Sequence, residues 1–388
     1  MSENTRSDQL AAGVGSETLT FDGGHRPVLE ARHLVKHFSV RGNGIISLKD
    51  QVLHAVDDVS LNLYPGEVSG LVGESGCGKS TLTRMLSMLE QPTSGEVLLR
   101  GERVHAKRGR AFREYVGNVQ MVLQDPFGSF NPLQTIQRHI ERVIRIHENG
   151  AKGTAAQERL AEVLTEVSLT PPQQFAEKYP HELSGGQRQR ASIARALAAR
   201  PQVLLADEPV SSLDVSIRLG ILNLLGRLAS ELNVALLYVT HDIATARYFA
   251  KNTSVMYAGQ LIESGSSEDV TQNAKHPYTQ LLLSSAPDPD RPADRKRIEA
   301  IGQPPSLITP PSGCRFHPRC PFAMEKCKTT PPPRFDVGSG QWARCWLYEG
   351  SPELSADAVE APSAANATAS AAASETPAVS TPPAAPES

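Results

Sequence analysis

The chain has 388 residues, with 39 Lys and Arg against 42 Asp and Glu and a formal charge of −3. A balance this near to neutral gives no broad basic field, which argues against a nucleic-acid partner. Hydrophobic residues make up 39% of the chain, and no apolar run reaches the roughly 18 residues of a membrane-spanning helix. With no hydrophobic leader in "MSENTRSDQLAAGVG", the expected compartment is the cytoplasm.

In chain order, residues 1–25 lack apolar periodicity and are expected to be disordered. "VSGLVGESGCGKSTLTRML" (68–86) then contains G-x-x-x-x-G-K-S. "EVSGLVG" predicts a buried strand and "STLTRMLSML" a helix, so the motif lies in strand–loop–helix context. Gly73, Gly76 and Gly78 let backbone N–H groups turn inward toward phosphate oxygens, helped by the positive end of the helix. Ser75, Cys77 and Thr81 complete the expected nucleotide-binding loop. Lys79 supplies charge for the outer phosphates, and the Ser80 hydroxyl can ligate Mg²⁺. A complete match in this context argues against a chance Gly-rich turn.

"AAQERLAEVLTEVSL" has helical apolar spacing at Leu160, Val163, Leu164 and Val167. "HELSGGQRQRASIARALAAR" (181–200) follows, with Ser184, Gly185, Gly186 and Gln187 opening a second helix whose N–H groups could face an anion. An ordinary capped helix has the same local appearance. "PQVLLADEPVSSLD" (201–214) predicts a strand ending in Asp207 and Glu208. In a parallel sheet, carboxylates there face the ligand crevice, Asp207 toward Mg²⁺ and Glu208 toward an attacking water. "NVALLYVTHD" (233–242) ends a further strand at His241, within reach of a terminal phosphate.

Together these motifs resemble the ATP-binding subunits of ABC transporters, whose signature is L-S-G-G-Q. The resemblance spans roughly residues 28–347. It implies an α/β P-loop ATPase with a RecA-like core sheet, an antiparallel β subdomain and a helical subdomain. The implied boundaries are 26–272 for the ATPase domain, with the helical subdomain at about 125–190, and 273–350 for a small Cys-rich C-terminal extension. It further implies that Phe38 stacks on adenine and that Gln124 contacts Mg²⁺ and water. Ser212, Leu213 and Asp214 would cross to a second subunit, Glu208 would be the catalytic glutamate and His241 the switch histidine. In such proteins two ATPase domains face head to tail, and each ATP lies between one phosphate loop and the partner's signature helix.

"DPFGSFNP" and "KHPYTQLLLSSAP" resemble the dipeptide and oligopeptide importers, with nickel importers nearby. That implies a second, different ATPase, two transmembrane permease subunits and an extracytoplasmic solute-binding protein, with this chain peripheral on the cytoplasmic face of the membrane. A soluble ABC ATPase acting in translation or DNA repair is the alternative, and a drug exporter a third reading. The single phosphate loop, single signature and absence of a long heptad run favour the importer.

Cys314, Cys320, Cys327 and Cys345 are spaced C-x5-C-x6-C-x17-C in a Pro- and Arg-rich segment. Four thiols in a reducing compartment read as a metal site, either zinc or iron–sulfur. The importer resemblance favours [4Fe–4S], with a structural role, over Zn²⁺. Residues 351–388, almost entirely Ala, Pro, Ser, Thr and Glu, are expected to be a disordered tail.

Overall fold

A computed structural model describes residues 26–40, 51–105, 108–125, 128–148, 153–285 and 302–354. The expected N-terminal disordered segment, 1–25, lies outside the described residues, as does the tail from 355 onward. Residues 351–354, given to the tail by composition, instead belong to the fold. Glu353–Leu354 pairs with Arg334 and Phe335, and Leu354 packs on the core.

Among the described residues, five parallel strands form one flank of a nine-stranded sheet, in the order Val119–Val122, Val203–Asp207, Ala235–Thr240, Val68–Val72 and Asn252–Tyr257, with Val119–Val122 at the edge. Val203–Asp207 and Ala235–Thr240 are buried at every position. Parallel strands covered on both faces read as unbroken apolar runs, and "VLLA" and "ALLYV" do so. Val72 pairs with Thr240 and Asp207 with Val239. The three carboxyl ends therefore leave the sheet side by side, and this register places the site.

Beyond Asn252–Tyr257 the sheet turns antiparallel. Ala258 and Gly259, both in the left-handed region at φ 46° and 86°, close a tight hairpin to Gln260–Ser266. Gln341–Ala343, Arg334–Gly338 and Glu353–Leu354 then continue the same sheet. The buried Glu263 carboxylate anchors this junction, accepting from Lys275 N, His276 N and Gln341 Nε2 at 2.7, 2.9 and 2.7 Å. Burial pushes its carboxyl group above the usual range.

A separate antiparallel sheet runs in the order Gln51–Leu63, Leu29–Val40, Ser94–Leu99 and Glu102–Arg103. Its Leu29, Leu34 and Val56 share a core with Leu82, Met85 and Leu86 of the helix Lys79–Leu86, and with Leu205 and Leu237 of the central strands. A third body is helical. Ile136–His147 buries Ile136, Ile140 and Ile144, one per turn, and Thr135 caps it through Arg138 N. Thr154–Glu166 buries Leu160, Val163 and Leu164, and Val167 just beyond joins them. Both helices share a cluster with Ala191 and Ala194 of the helix Gly185–Leu197. Among the described residues no helix is long and apolar enough to cross a membrane.

Candidate active site

The phosphate loop joins the end of Val68–Val72 to Lys79–Leu86. Gly78 takes φ 111°, and a Cβ there would lie 2.2 Å from Ala55 O, so only glycine fits at this helix start. Ser75, Gly76 and Ser80 are exposed, Thr81 is half-buried, and Cys77 is buried beneath the loop. Burial raises the Cys77 thiol pKa, which fits a packed loop residue better than a reactive one. Lys79 is buried and donates from Nζ to Gly73 O at 2.7 Å and Glu74 O at 3.0 Å. These carbonyls hold the ammonium inside the curve of the loop.

Asp207 ends the neighbouring strand and is buried. Its carboxylate takes a hydrogen bond from the Ser80 hydroxyl, while Oδ1 is buried without a partner among the described residues. Burial, with the Glu208 charge alongside, lifts its pKa. A buried carboxylate oxygen lacking a donor, next to a hydroxyl, suits a hard divalent cation; Mg²⁺ fits these residues. Glu208 sits in the left-handed region at φ 46°. A non-glycine residue there is uncommon and aims the side chain off the strand end. Glu208 Oε2 accepts from Gln124 Nε2 at 3.2 Å, and Oε1 lies 3.3 Å from His241 Nδ1. Thus Ser80, Gln124, Asp207, Glu208 and His241 meet at one edge of the sheet.

Sequence reasoning missed the rest of this corner. Tyr238, Thr240, Asp242, Thr245, Ser211 and Arg218 line a cavity of about 40 Å³ with Glu208 and His241. Asp242 accepts from Ala244 N and Thr245 N and so caps Ile243–Phe249, fixing the residue after His241. The run "THD" held the signal, since Asp before an apolar helical stretch is a cap pattern.

The signature segment forms a capping box. Ser184 Oγ accepts from Gln187 N at 3.3 Å, and Gln187 Oε1 accepts from Ser184 N at 3.1 Å. Gly185 and Gly186 pack on Leu213 and Ile217; a Cβ at Gly186 would lie 2.6 Å from Ile217 Cγ2. Leu213 is buried between exposed Ser212 and Asp214, and Asp214 starts the helix Val215–Glu231. The helix start at Ser184–Gln187 and the loop Ser212–Asp214 are thereby packed together. Phe38 lies apart from this corner, on strand Leu29–Val40; its half-buried ring has Lys36 Nζ 4.8 Å from its centroid.

The four cysteines converge without disulfides. Ionising Cys345 is opposed by each of the other three, and Cys314 is opposed by Cys320 and Cys327. Burial pushes Cys314 up to about 11 and Cys345 up to about 12. Each sulfur faces a backbone N–H, from Phe316, Phe322, Met324 and Leu347 respectively for Cys314, Cys320, Cys327 and Cys345. Four cysteine thiols brought together in this way are a donor set that either a zinc ion or an iron–sulfur cluster accepts.

Comparisons with known proteins agree with this architecture. The family described as ABC transporter matches residues 56–211, and the family described as oligopeptide/dipeptide transporter, C-terminal region, matches 262–327. The oligopeptide transport ATP-binding protein AppF of Bacillus subtilis is 41% identical over 324 residues, 83% of this chain and 97% of AppF. OppF of Haemophilus influenzae, also named an oligopeptide transport ATP-binding protein, is 38% identical over 330 residues, 84% of this chain and 99% of OppF. The ATP-binding cassette MJ0796, solved as a dimer with ADP and Pi, superposes with a TM-score of 0.54 at 29% identity, covering 62% of this chain and 98% of the cassette. The chain belongs to the ATP-binding subunits of ABC transporters, in the oligopeptide and dipeptide branch, and is an ATPase.

Proposed function

We propose that this ATPase drives uptake of di- or oligopeptides as one half of a head-to-tail pair. The observation that carries the catalytic part is the Glu208 carboxylate, held between Gln124 and His241 beside the Asp207–Ser80 pair. Glu208 accepts a proton from water as that water adds to the γ-phosphorus and ADP departs with the bridging oxygen. His241 and Gln124 orient the carboxylate and sense the γ-phosphate. Mg²⁺, held by Ser80, Asp207 and Gln124, supplies charge neutralisation on the β- and γ-phosphates. Lys79 and the N–H groups of Gly76, Gly78 and Ser80 bind the phosphates, and Phe38 packs against the base.

The capped N-terminus at Ser184–Gln187 offers the Gly185 and Gly186 N–H groups to the partner's γ-phosphate. Ser212, Leu213 and Asp214 link that contact to the chain's own Glu208. ATP thus bridges two subunits, and hydrolysis releases them. The partner is a related but different ATPase, seated with this one on two permease subunits at the cytoplasmic face of the membrane, with an extracytoplasmic binding protein delivering solute. Cys314, Cys320, Cys327 and Cys345 hold a [4Fe–4S] cluster that ties the extension together, because its loops bury too little apolar surface to do so alone.

Purification from membranes under anaerobic conditions, with subunit identification and assays of iron, sulfide and zinc, tests this reading. Permease subunits, a second ATPase and equal iron and sulfide are expected. Recovery of the ATPase free of membrane subunits would favour the soluble alternative.

A further inference from the structure

The cysteine-rich extension grips the phosphate loop. Glu74, the residue after Gly73, is held at three places. Its N–H donates to Tyr278 Oη at 2.9 Å. Its carbonyl accepts from Lys79 Nζ at 3.0 Å. Its carboxylate receives Arg319, with Nη1 at 3.2 and 3.0 Å from the two oxygens and Nη2 at 3.2 Å from Oε1. Tyr278 and Arg319 both come from the C-terminal extension, more than 200 residues further along the chain.

The grip is built rather than incidental. Arg319 is 7% exposed, and its guanidinium carbon lies 5.9 Å from the ring centroids of both Tyr257 and Phe316. Those rings pack edge-to-face at 5.3 Å, and Tyr278 closes on Tyr257 at 4.4 Å. The aromatic walls, with an Nη1 bond to Tyr257 Oη at 3.4 Å, help hold the guanidinium fork toward Glu74. Arg319 ends the short turn His317–Arg319, whose ends are Cys314 and Cys320: His317 N donates to Cys314 O and Cys320 N to His317 O. Charge-assisted forked bonds of this kind are stronger and more directional than neutral ones.

We propose that Arg319 is a positioning residue for ATP hydrolysis, acting through Glu74 to keep the phosphate loop open in the shape that receives nucleotide. The inference rests on the loop's role in the proposed function and adds what shapes the loop. Releasing the carboxylate removes the extension's charged anchor on the loop, so the backbone that carries the phosphate-facing N–H groups is held less firmly in that shape. The loss then falls on nucleotide affinity more than on the chemical step.

The test is a double-mutant cycle on the intact transporter in membranes, with R319M, E74Q and the pair of changes together, reading KM for MgATP and kcat separately. KM rises about tenfold in R319M, as expected for loss of a buried charged hydrogen bond. E74Q moves KM in the same direction, and the double variant is no worse than the worse single one. Unchanged KM in a folded variant, effects on kcat alone, or additive losses would overturn the proposal. Should R319M lose its melting transition, E74Q decides alone, since Glu74 lies on the loop surface and its neutral form keeps the side-chain shape. Absence of ATP hydrolysis in the unaltered transporter would instead sink the underlying reading, so the two failures are told apart.

Discussion

Glu208 Oε1 stands 3.3 Å from His241 Nδ1, while Oε2 of the same carboxylate takes the Gln124 amide at 3.2 Å. One acidic side chain is thereby fixed at both oxygens by residues from two other strand ends. Glu208→Gln keeps the size and loses the basicity. Phosphate release should fall at least about 100-fold, the scale of general-base contributions, while ATP still binds. Nucleotide-bound dimers should accumulate, visible by size-exclusion chromatography. Near-normal turnover would remove Glu208 from the catalytic role.

Asp207 presents the buried Oδ1 that no group among the described residues satisfies. Asp207→Asn places an amide where a cation is expected. At fixed excess ATP, the Mg²⁺ concentration for half-maximal hydrolysis should rise by about tenfold or more, consistent with loss of a charged ligand. An unaltered Mg²⁺ titration would show that the ion is held elsewhere.

If the four cysteines hold the proposed cluster, Cys320→Ser should lower bound iron and sulfide in anaerobically purified protein and reduce its melting temperature, because the cluster would supply folding free energy to this segment. Cys77→Ser is the control: Cys77 is buried in the phosphate loop, in a core cluster that none of the other four cysteines joins, and its loss should leave iron content unchanged. Equal iron in both variants would dismiss the cluster.

His276 is fully buried in the junction behind the cysteine segment, and burial takes its pKa from 6.5 down to about 3. Its Nδ1 accepts from Tyr278 N at 3.1 Å and its Nε2 has no partner among the described residues. The unfolded chain takes up this proton below pH 6.5, whereas the folded chain refuses it until about pH 3. The stabilisation is thus whole above pH 6.5 and is lost as pH falls from there toward 3. Between pH 7 and 5.5 the loss should be about 1 kcal/mol. Glu263 shifts the other way, so the comparison is made with His276→Gln, in which the Glu263 contribution is retained. Denaturant midpoints of the two proteins at pH 7 and 5.5 should converge on acidification; parallel curves would refute the assignment.

The meeting of Ser80, Asp207, Glu208 and His241 at one sheet edge was legible in the sequence because each lies in a contiguous run at a strand end. "GESGCGKS", "LLADE" and "YVTHD" each place their chemistry locally, and a parallel sheet needs only register to bring them together. Long-range pairs carried no such pattern. Arg319 and Glu74 are separated by 245 positions, and nothing in "HPRCP" names a phosphate loop as its target. The continuation of the sheet was missed for a different reason. "RFDVGSGQWARC" has the alternation and the Gly-Ser-Gly turn of a hairpin, but it is short and ends on Cys345 of the four-cysteine set, so its residue types point as readily to a metal loop as to a strand pair.

Arg334–Gly338, Gln341–Ala343 and Glu353–Leu354 finish the rim of the central sheet, so the C-terminal part is no detachable accessory. A polypeptide cut short after Gln272 would bare the flank of Gln260–Ser266, whose unsated amides and carbonyls invite other chains to add on. Nonsense mutations or protease nicks there should therefore yield insoluble material, not a trimmed yet working motor, and any swap of this region between relatives has to transplant the rim along with it.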